Sequence, residues 1–445
     1  MKLGMVKNNV SLIFLYLTKK IFPRLRNKSI LLKQVFLLFL VFGFVKSLVY
    51  FAPLGVNEVV NSVNKFGIFE YSLNLGQTVA GVFSMGLAGA YAFFIFKQKR
   101  LELQPVFHLH FIIITLALFI AAVLFPGLLN NIYFGAILIG TAFAEQMFLS
   151  AVLKFSSRNK TAVIIDSSVY IVLSIVLVFS FFHIFTFSME IWFSSILVFL
   201  LLLSLFYHWR HIKGVLKINR SEFHEIYKFG GLIVLAGPLL VLITSSTRLF
   251  IEHFSTLEKV GIYSFYFRLA SFVLIFSRVI GILLLKRMFV SSHKVLDKYY
   301  SSAMTFLFLL SILIYWILPV LLQNNFPQFD NTYEKYSGLF LICFFQIVFW
   351  INTSLFEPIL QRENQMKSFL VLLAGFLFLL FLGFSLLELL NLITLENLVW
   401  MNTLIIFLLF FGQQFILWKN AIVYKKSLIT QSIIGFFFFF TSLIL

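Results

Sequence analysis

The feature that most constrains the fold of this chain is a series of long apolar runs separated by short tracts that carry Lys and Arg. Apolar residues make up 61% of the chain and charged residues 12%, whereas soluble domains contain about 45–50% and about 25% of these classes. No soluble fold could bury that much apolar surface. Because a membrane span needs about 20 apolar residues, the chain has room for about twelve spans. The sequence therefore predicts an all-α polytopic membrane protein.

Twelve core transmembrane helices are placed on the apolar runs between charged breaks. They occupy residues 30–53, 66–96, 106–124, 132–153, 162–182, 191–209, 229–251, 260–285, 300–322, 336–358, 368–389 and 398–418. A further apolar run at 428–445 is either a thirteenth span or a re-entrant tail. The chain then consists of a basic amphipathic segment, a six-helix lobe, a cytoplasmic linker, a second six-helix lobe and a tail, at residues 1–29, 30–210, 211–228, 229–418 and 419–445.

The distribution of Lys and Arg predicts the orientation of the chain in the membrane. With a cytoplasmic N-terminus, 28 of the 35 cations fall in the N-terminal segment, at Lys33 near the start of the first span, or in the cytoplasmic loops. Only Lys65, Lys259 and Lys335 fall in outside loops. This is the positive-inside pattern, and a missed or invented span would reverse it downstream of the error. The net charge of +18 is therefore a topology signal rather than a nucleic-acid-binding surface.

Sequence motifs for catalysis are absent. There is no Gly-x-x-x-x-Gly-Lys-Ser/Thr loop, no His-Glu-x-x-His and no Gly-x-Ser-x-Gly. The single cysteine, Cys343, excludes intrachain disulfides and Cys-based metal sites. His108 and His110 are two residues apart, on divergent helix faces, which favours a place at the membrane interface over metal binding. We therefore expect a protein that is not an enzyme and has neither a metal site nor a cofactor, apart from a coupling H⁺ or Na⁺.

An internal repeat relates the two predicted lobes. The segment Lys65-Phe66-Gly67-Ile68-Phe69 resembles Lys259-Val260-Gly261-Ile262-Tyr263, which lies 194 residues later. Six spans separate the copies, an even number, so both halves have the same orientation, as in transporters built from two parallel lobes. The alternative is a chance similarity between two apolar segments.

Apart from Lys33 near the start of the first span, four cations fall inside predicted spans: Lys46, Arg248, Arg268 and Arg278. A charge at the bilayer centre costs at least about 2.5–3.5 kcal/mol, so such residues usually face a bundle interior or a watery cavity. Lys46 and Arg268 lie about 10–12 Å from the outer ends of their spans, one in each lobe. Because Arg can hold phosphate oxygens in a bidentate fork, this arrangement suits an anionic pyrophosphate. Arg278 and Arg248 are further candidates, and snorkelling to the headgroups is the alternative for Arg248.

Acids inside the spans are candidates for coupling to an ion gradient. We assign this role to Glu70 in the second span and Glu145 in the fourth. The alternative for Lys46 is an interhelical ion pair, for instance with Glu70. For Asp166, near the inner end of the fifth span, the favoured interpretation is structural pairing with the basic residues that precede it.

A hinge is predicted in the seventh span. Proline removes a backbone hydrogen bond and bends a helix, and Gly237 and Pro238 lie together near mid-span. They are candidates for a hinge in alternating access, with simple helix packing as the alternative.

Two segments of the chain resemble a known family. They are Phe66-Gly67-Ile68-Phe69-Glu70-Tyr71-Ser72-Leu73 and Gly261-Ile262-Tyr263-Ser264-Phe265-Tyr266-Phe267-Arg268. With the twelve-span plan, they resemble the O-antigen (Wzx-type) flippases of the multidrug/oligosaccharidyl-lipid/polysaccharide exporter superfamily. The segments are family-like phrases rather than a catalytic signature, and the resemblance in span plan covers nearly the whole chain.

The resemblance implies a fold and a function. It implies two six-helix bundles around a V-shaped, cationic central cavity, with Lys46 and Arg268 at the matching positions. It further implies alternating access that moves a polyprenyl-pyrophosphate oligosaccharide, an O-antigen or similar repeat unit of lipopolysaccharide, from the cytoplasmic to the periplasmic face of a bacterial inner membrane. The implied partners are this substrate, membrane lipids and other polysaccharide-assembly proteins, without nucleic acid.

Two other classes compete with this interpretation. A cation-coupled multidrug exporter of the same superfamily would be expected to offer an acid in its first span, where this chain has Lys46. A polysaccharide polymerase or membrane glycosyltransferase needs a large extracytoplasmic loop, and the longest predicted outside segment, 323–335, is far too small.

Overall fold

The structure is a computed structural model that describes residues 28–60, 62–156, 158–212, 220–244, 247–277, 280, 291–323, 327–363 and 365–444. Nearly all of these residues are helical, and none of them lies in a β-strand. The chain divides into two compact units, Met1–Val45 and Lys46–Leu445. The larger unit contains both copies of the repeat. The predicted amphipathic segment at 1–29 lies outside the described residues except for its last two positions.

The helices of the N-terminal half begin with one that crosses from the smaller unit into the larger. They are α1 (Lys28–Val60), α2 (Val63–Phe83), α3 (Leu87–Tyr91), α4 (Gln104–Leu124), α5 (Ile132–Phe155), α6 (Asn159–Ile165), α7 (Ser168–Phe181) and α8 (Met189–Phe206). A π-helix follows α3 at Ala92–Lys97, and a 3-10 turn follows α8 at His208–His211.

The C-terminal half continues with longer helices. They are α9 (Arg220–Thr244), α10 (Thr247–Phe254), α11 (Leu257–Ala270), α12 (His293–Leu322), α13 (Pro327–Arg362), α14 (Met366–Leu389), α15 (Leu395–Lys419) and α16 (Lys425–Ile444). Helix α13 is kinked at Tyr336, whose backbone angles are not helical.

Eight helical stretches in the described parts of the chain are long and apolar enough to cross a membrane. They match the second, third, fourth, sixth and ninth to twelfth predicted spans, at Val63–Ile95, Leu101–Leu124, Ile132–Phe155, Met189–His211, His293–Leu322, Phe329–Leu360, Met366–Leu389 and Leu395–Lys419. The protein is thus all-helical, with helices suited to several membrane crossings. The count of twelve and the two six-helix lobes remain predictions, because the first, fifth, seventh and eighth predicted spans are not among these eight stretches.

The structure interrupts two spans that were predicted to be continuous. In the second, Met85 and Gly86 adopt positive φ angles of 45° and 64°, which ends α2 before α3 begins. In the fifth, a turn at Asp166 and Ser167 separates α6 from α7. The turn at Met85 and Gly86 lies among mostly apolar residues, so hydropathy does not register it. The turn at Asp166 and Ser167 coincides with a short polar run, which is too brief to end an apolar stretch that continues on both sides. Helix α9 begins at Arg220, within the predicted linker at 211–228 and eight residues before its expected end.

Burial separates central helices from peripheral ones. The most apolar stretches of Ile132–Phe155 and Phe329–Leu360 are both 83% buried within the protein, whereas those of His293–Leu322 and Met366–Leu389 are only 22% and 17% buried. A peripheral helix that is hydrophobic all round suits a lipid environment. Helices α5 and α13 are therefore the most buried long helices of their respective halves, and each corresponds to the fourth span of a predicted lobe.

The two copies of the repeat contact each other symmetrically. At the start of α2 the N–H of Lys65 donates to the Ser62 hydroxyl. At the start of α11 the N–H of Lys259 donates to the Thr256 hydroxyl in the same way. The helices cross so closely that a Cβ atom on Gly67 would overlap the carbonyl oxygen of Leu257. One on Gly261 would overlap that of Val63. Leu257 is the counterpart of Val63, and Gly261 is the counterpart of Gly67, each 194 residues further along. Each glycine thus approaches the equivalent residue of the other copy, which favours a true repeat over a chance similarity.

The apolar tail forms a helix of 20 residues, α16. Its first turn is held by Asp297 of α12, whose carboxylate accepts from the backbone N–H groups of Lys426 and Ser427 at 2.9 Å each. Further along, Asn352 of α13 donates to Gln431 at 2.7 Å. The tail therefore packs against α12 and α13 as a helix about 30 Å long, the thickness of a membrane core.

Candidate functional site

A cluster of three charged residues joins the two halves of the chain next to the glycine contact. Glu70 of α2 accepts hydrogen bonds from Arg268 of α11 at both carboxylate oxygens, and the bond from Nη2 to Oε2 measures 3.0 Å. Arg248 of α10 approaches the same carboxylate, with Nε 3.1 Å from Oε2. One carboxylate thus holds two guanidinium groups from the other half. We call these three residues the charge cluster.

The repeat explains why these side chains meet. Glu70 lies three residues after Gly67, about one helical turn, and its counterpart in the second copy is Ser264. Arg248 donates from Nε to the Ser264 hydroxyl at 2.7 Å, so it contacts both equivalent positions. Arg268 lies one turn beyond Ser264 on the same helix. Close approach of α2 and α11 at the glycine contact therefore brings the acid of one copy to the base of the other.

The charge cluster is buried and positively charged overall. The side chains of Glu70, Arg248 and Arg268 are only 1%, 5% and 9% exposed. One carboxylate balances one of the two guanidinium groups, which leaves one positive charge without a counter-charge inside the cluster. In a low dielectric this charge attracts an anion far more strongly than it would in water. Both the sequence-predicted cations of this region, and the acid Glu70, are thus placed at one site.

Neighbouring groups fix the direction of both guanidinium groups. The Arg248 guanidinium lies 4.9 Å from the centre of the Phe267 ring and 5.6 Å from that of Tyr263, within cation–π range. Arg268 also donates from Nη1 to the carbonyl of Val49 on α1, at 3.4 Å. These contacts hold the two forks in place around Glu70 without neutralising them.

Lys46 has a different partner from the one considered in the sequence. Its Nζ lies 2.7 Å from Asp166 Oδ2 and 3.0 Å from the Ser167 hydroxyl, so it bridges α1 to the turn between α6 and α7. The suggested pair with Glu70 is wrong, because both oxygens of that carboxylate are occupied by arginines. Asp166 does pair, but across 120 residues rather than with its basic neighbours.

Arg268 of α11 contacts α1 close to the position of Lys46. Arg268 contacts the carbonyl of Val49, three residues after Lys46, which corresponds to about 4.5 Å along the helix axis. The two cations predicted to act together therefore meet the same turn of α1. The exposed fraction of the Lys46 side chain, 15%, is the largest among Lys46, Arg248 and Arg268.

Glu145, the second predicted coupling acid, lies in a separate group. Its Oε1 is 2.7 Å from Nε2 of His208, and Nδ1 of His208 is 2.8 Å from Nδ1 of His108. All three side chains are completely buried. We call this group the Glu–His–His chain. The role of His208 was missed because it lies at the end of an apolar run, where a histidine usually marks the interface.

His110 points elsewhere, as its divergent position predicted. Its two ring nitrogens lie 3.1 Å from the Tyr227 hydroxyl and 2.9 Å from the Phe83 carbonyl. In the parts of the chain that the structure describes, no group of three His, Cys, Asp or Glu side chains is arranged to hold a metal ion.

A buried network of uncharged polar groups supports the charge cluster from the second half. Gln346 of α13 donates to Asn402 of α15 at 2.6 Å and to Thr247 at the start of α10 at 3.1 Å. Tyr263, which lies beside Arg248, donates its hydroxyl to Gln346 at 2.9 Å. The network ties α10 and α11 to the central helix α13. Polar residues scattered through apolar runs were its signal in the sequence, but their partners could not be paired.

The halves also meet at the predicted cytoplasmic end. Arg100, in the loop before α4, donates to Glu225 at 2.8 Å and to Glu222 at 3.2 Å, both at the start of α9. Hydrogen bonding to Glu225 raises the pKa of Arg100 and so favours its charged form.

The remaining predicted site residues are Arg278 and the hinge pair Gly237 and Pro238. Arg278 lies outside the described residues. Helix α9 runs through Gly237 and Pro238 with helical backbone and ends at Thr244, so the hinge remains a prediction.

Comparison of the chain with protein-family models, with characterised proteins and with solved structures gives no match. The class that the structure defines is that of an all-helical, multi-pass membrane protein.

Proposed function

We propose that this protein is a flippase that moves an anionic, lipid-linked oligosaccharide across a membrane, with a polyprenyl pyrophosphate as the charged part of its substrate. The observation that supports the proposal is the charge cluster, in which two buried arginines share one carboxylate. A pyrophosphate offers more oxygens and more negative charge than Glu70 does. It therefore competes effectively for both guanidinium forks.

In this proposal the ion pair and the occupied site are alternatives. Glu70 holds the arginines while no substrate is present, and this keeps the two halves together at the glycine contact. Phosphate oxygens replace the carboxylate, with Lys46 contributing a third cation from α1 and Arg278 as a further candidate. Because the displaced pair links the two halves, substrate binding frees α2 and α11 to separate. The substrate therefore favours the separated arrangement of the halves over the paired one, and alternating access requires such a difference.

Transport in liposomes tests the proposal. The purified protein is reconstituted with a fluorescent polyprenyl-pyrophosphate disaccharide, and an impermeant quencher reports the fraction that has crossed. We expect ATP-independent crossing that falls at least about tenfold in Arg268→Gln and Arg248→Gln, since each charge-assisted contact is worth about 1.5–3 kcal/mol. Arg268→Lys should retain part of the activity, because it restores charge but not the fork.

Lys65→Gln is the matched control, since Lys65 is an exposed cation at the same end of α2. It should transport like the wild type. A wild-type protein that moves the probe no faster than empty liposomes would refute the flippase. Transport of a cationic drug in place of the probe would favour a multidrug exporter.

The location and topology are part of the same proposal, namely a bacterial inner membrane with a cytoplasmic N-terminus. Reporter fusions after Arg100, Lys160, Lys217, Lys294 and Lys367 should read cytoplasmic, because each lies in a basic loop after an even number of spans. An external signal at any of the five would reject the span count at that point. A fusion after Leu445 decides whether α16 crosses the membrane.

A further inference from the structure

The Glu–His–His chain plays no part in the proposed anion site, and its geometry constrains the protons that it holds. Each of its two short contacts needs one proton between the heavy atoms. A neutral imidazole carries one N–H, and an ionised carboxylate only accepts. With two protons, His208 donates from Nε2 to Glu145, and His108 donates from Nδ1 to His208. The chain then carries one negative charge in a buried position.

A third proton removes this charge without breaking either hydrogen bond. If it adds to Nε2 of His108, the proton of each hydrogen bond moves one step towards Glu145, which becomes a neutral carboxylic acid. Both histidines stay neutral. Because an uncompensated buried charge is costly, the Glu–His–His chain favours the neutral state with three protons until its surroundings change.

The two ends of the chain are the atoms that this transfer needs. Among the residues that the structure describes, neither Nε2 of His108 nor Oε2 of Glu145 has a hydrogen-bond partner, although both atoms are buried. Every other polar side-chain atom of the three residues is used within the chain. The group is therefore a hydrogen-bonded wire with one nitrogen end and one oxygen end.

His211 connects the nitrogen end to the protein surface. Its ring stacks on that of His108 with centroids 4.6 Å apart, and its Nδ1 lies 3.3 Å from the amide nitrogen of Gln104. His211 is partly exposed at the predicted cytoplasmic end of its span. Other titratable or charged groups surround the Glu–His–His chain. Tyr207 lies beside His108 and His211, and Arg210 lies beside His211. Tyr91 and Arg158 lie near Tyr207.

The described contacts of the group suit a proton better than a sodium ion. Hard cations need a shell of several oxygen ligands, whereas Oε1 of Glu145 faces a ring nitrogen. The rings of Phe111 and Phe148 stack on His208 with centroids 5.6 and 6.3 Å away. A proton needs no such shell.

We propose that Glu145, His208 and His108 form a proton-binding site that loads and unloads one proton as a unit, with His211 as its entrance from the cytoplasmic side. The additional claim that this proton drives transport rests on the proposed function.

Difference infrared spectroscopy of the full-length protein in liposomes, recorded between pairs of pH values, tests the site directly. We expect the carbonyl band of a protonated carboxylic acid that titrates with pH and is lost in Glu145→Gln. Glu145→Asp should change its frequency, and His108→Asn should shift its titration midpoint by about one pH unit, or tenfold in proton affinity. Glu388→Gln, which alters an exposed carboxylate, is the control and should leave the band unchanged.

A full-size band in Glu145→Gln, or an unaltered midpoint in His108→Asn, would overturn the proton site. If Glu145→Gln does not accumulate, the frequency change in Glu145→Asp decides the assignment. An imposed pH gradient should accelerate probe crossing in the wild type but not in Glu145→Gln, and equal acceleration rejects the coupling claim. If the wild type does not move the probe at all, the flippase proposal fails, while the infrared result still decides the proton site.

Discussion

The charge cluster and the Glu–His–His chain are both buried ionic groups, but they differ in what they connect. The cluster takes Glu70 from one half of the chain and Arg268 and Arg248 from the other. The Glu–His–His chain takes all three residues from the N-terminal half. Relative movement of the two halves must therefore break the first group, whereas it can leave every hydrogen bond of the second intact.

The two groups also differ in how they tolerate a change of charge. Removing Glu70 leaves two guanidinium groups, which do not lose their protons in proteins. The Glu–His–His chain can shed or accept a proton and so adjust its own charge. A group of fixed charge suits recognition of an anion, and a group of adjustable charge suits coupling to a proton gradient.

The largest effect should come from the glycine contact that positions the charge cluster. In Gly67→Ala the new methyl group would overlap the backbone carbonyl of Leu257, which cannot move as a side chain can. We expect α2 and α11 to be forced apart, which also pulls Glu70 away from both arginines. The loss of stability should therefore exceed both the about 1–3 kcal/mol typical of overpacking and the about 3–5 kcal/mol of breaking a buried pair. Thermal unfolding in detergent measures the loss. The infrared band of Glu145 should be unaffected, since it belongs to the other group.

Gly375→Ala is the matched control, because no atom lies within 4 Å of the position of its added Cβ. It should be neutral or slightly stabilising, as Ala favours a helix by up to about 1 kcal/mol over Gly. By symmetry, Gly261→Ala should behave like Gly67→Ala. If Gly67→Ala unfolds at the same temperature as Gly375→Ala, the contact between the repeats is not the close crossing described above.

The symmetry of this contact shows how far the sequence could be used. The repeat around Gly67 and Gly261 was visible from residue identities, and the apolar runs located the long helices. Some ends agree to within three residues, whereas α12 begins seven residues and α13 nine residues before the predicted start. Both depend on the order of residues along the chain, which a single sequence displays. The interruption at Met85 is not visible in this way, because most residues around it are apolar. The interruption at Asp166 coincides with polar residues, but these are too few to end a predicted span.

The pairing of charges could not be predicted from order alone. Lys46 and Arg268 were expected at a similar depth, and either could have reached Glu70. Depth follows from the number of residues to the end of a span, but the face that each helix turns to its neighbour follows from packing. A helix surrounded by lipid and by apolar neighbours shows little polar asymmetry to indicate that face. The contact at Gly67 settles the choice in favour of Arg268.

The next largest effect should come from substitutions within the charge cluster, and it should differ between its members. Glu70→Gln leaves two buried arginines without a counter-charge, and loss of one partner from a buried pair costs about 3–5 kcal/mol. Arg268→Gln should cost less, because Arg248 still pairs with Glu70. The double variant should lose less stability than the sum of the two single variants, since these residues are coupled. Unfolding of all three proteins under one condition measures this coupling.

Inorganic pyrophosphate sharpens the same comparison. Under the flippase proposal it should raise the unfolding temperature of Glu70→Gln more than that of the wild type, because the anion then takes the place of the carboxylate. Equal stabilisation of Glu70→Gln and of Glu70→Gln with Arg268→Gln would argue that the anion binds outside the charge cluster.

The smallest effect on stability should come from Lys46, and it distinguishes a role in structure from a role in transport. Its pair with Asp166 is partly exposed, with side chains 15% and 32% accessible, and exposed pairs contribute about 0–1 kcal/mol. Lys46→Gln should therefore unfold within a few degrees of the wild type, and Asp166→Asn should behave alike. If Lys46 binds pyrophosphate together with Arg268, Lys46→Gln should nevertheless lose transport of the fluorescent lipid-linked disaccharide, while Asp166→Asn, which frees the lysine, should retain it. Loss of transport in both variants would mean that the pair serves to hold the turn between α6 and α7. Normal transport in a stable Lys46→Gln, Arg268→Gln double variant would remove both cations from the substrate site.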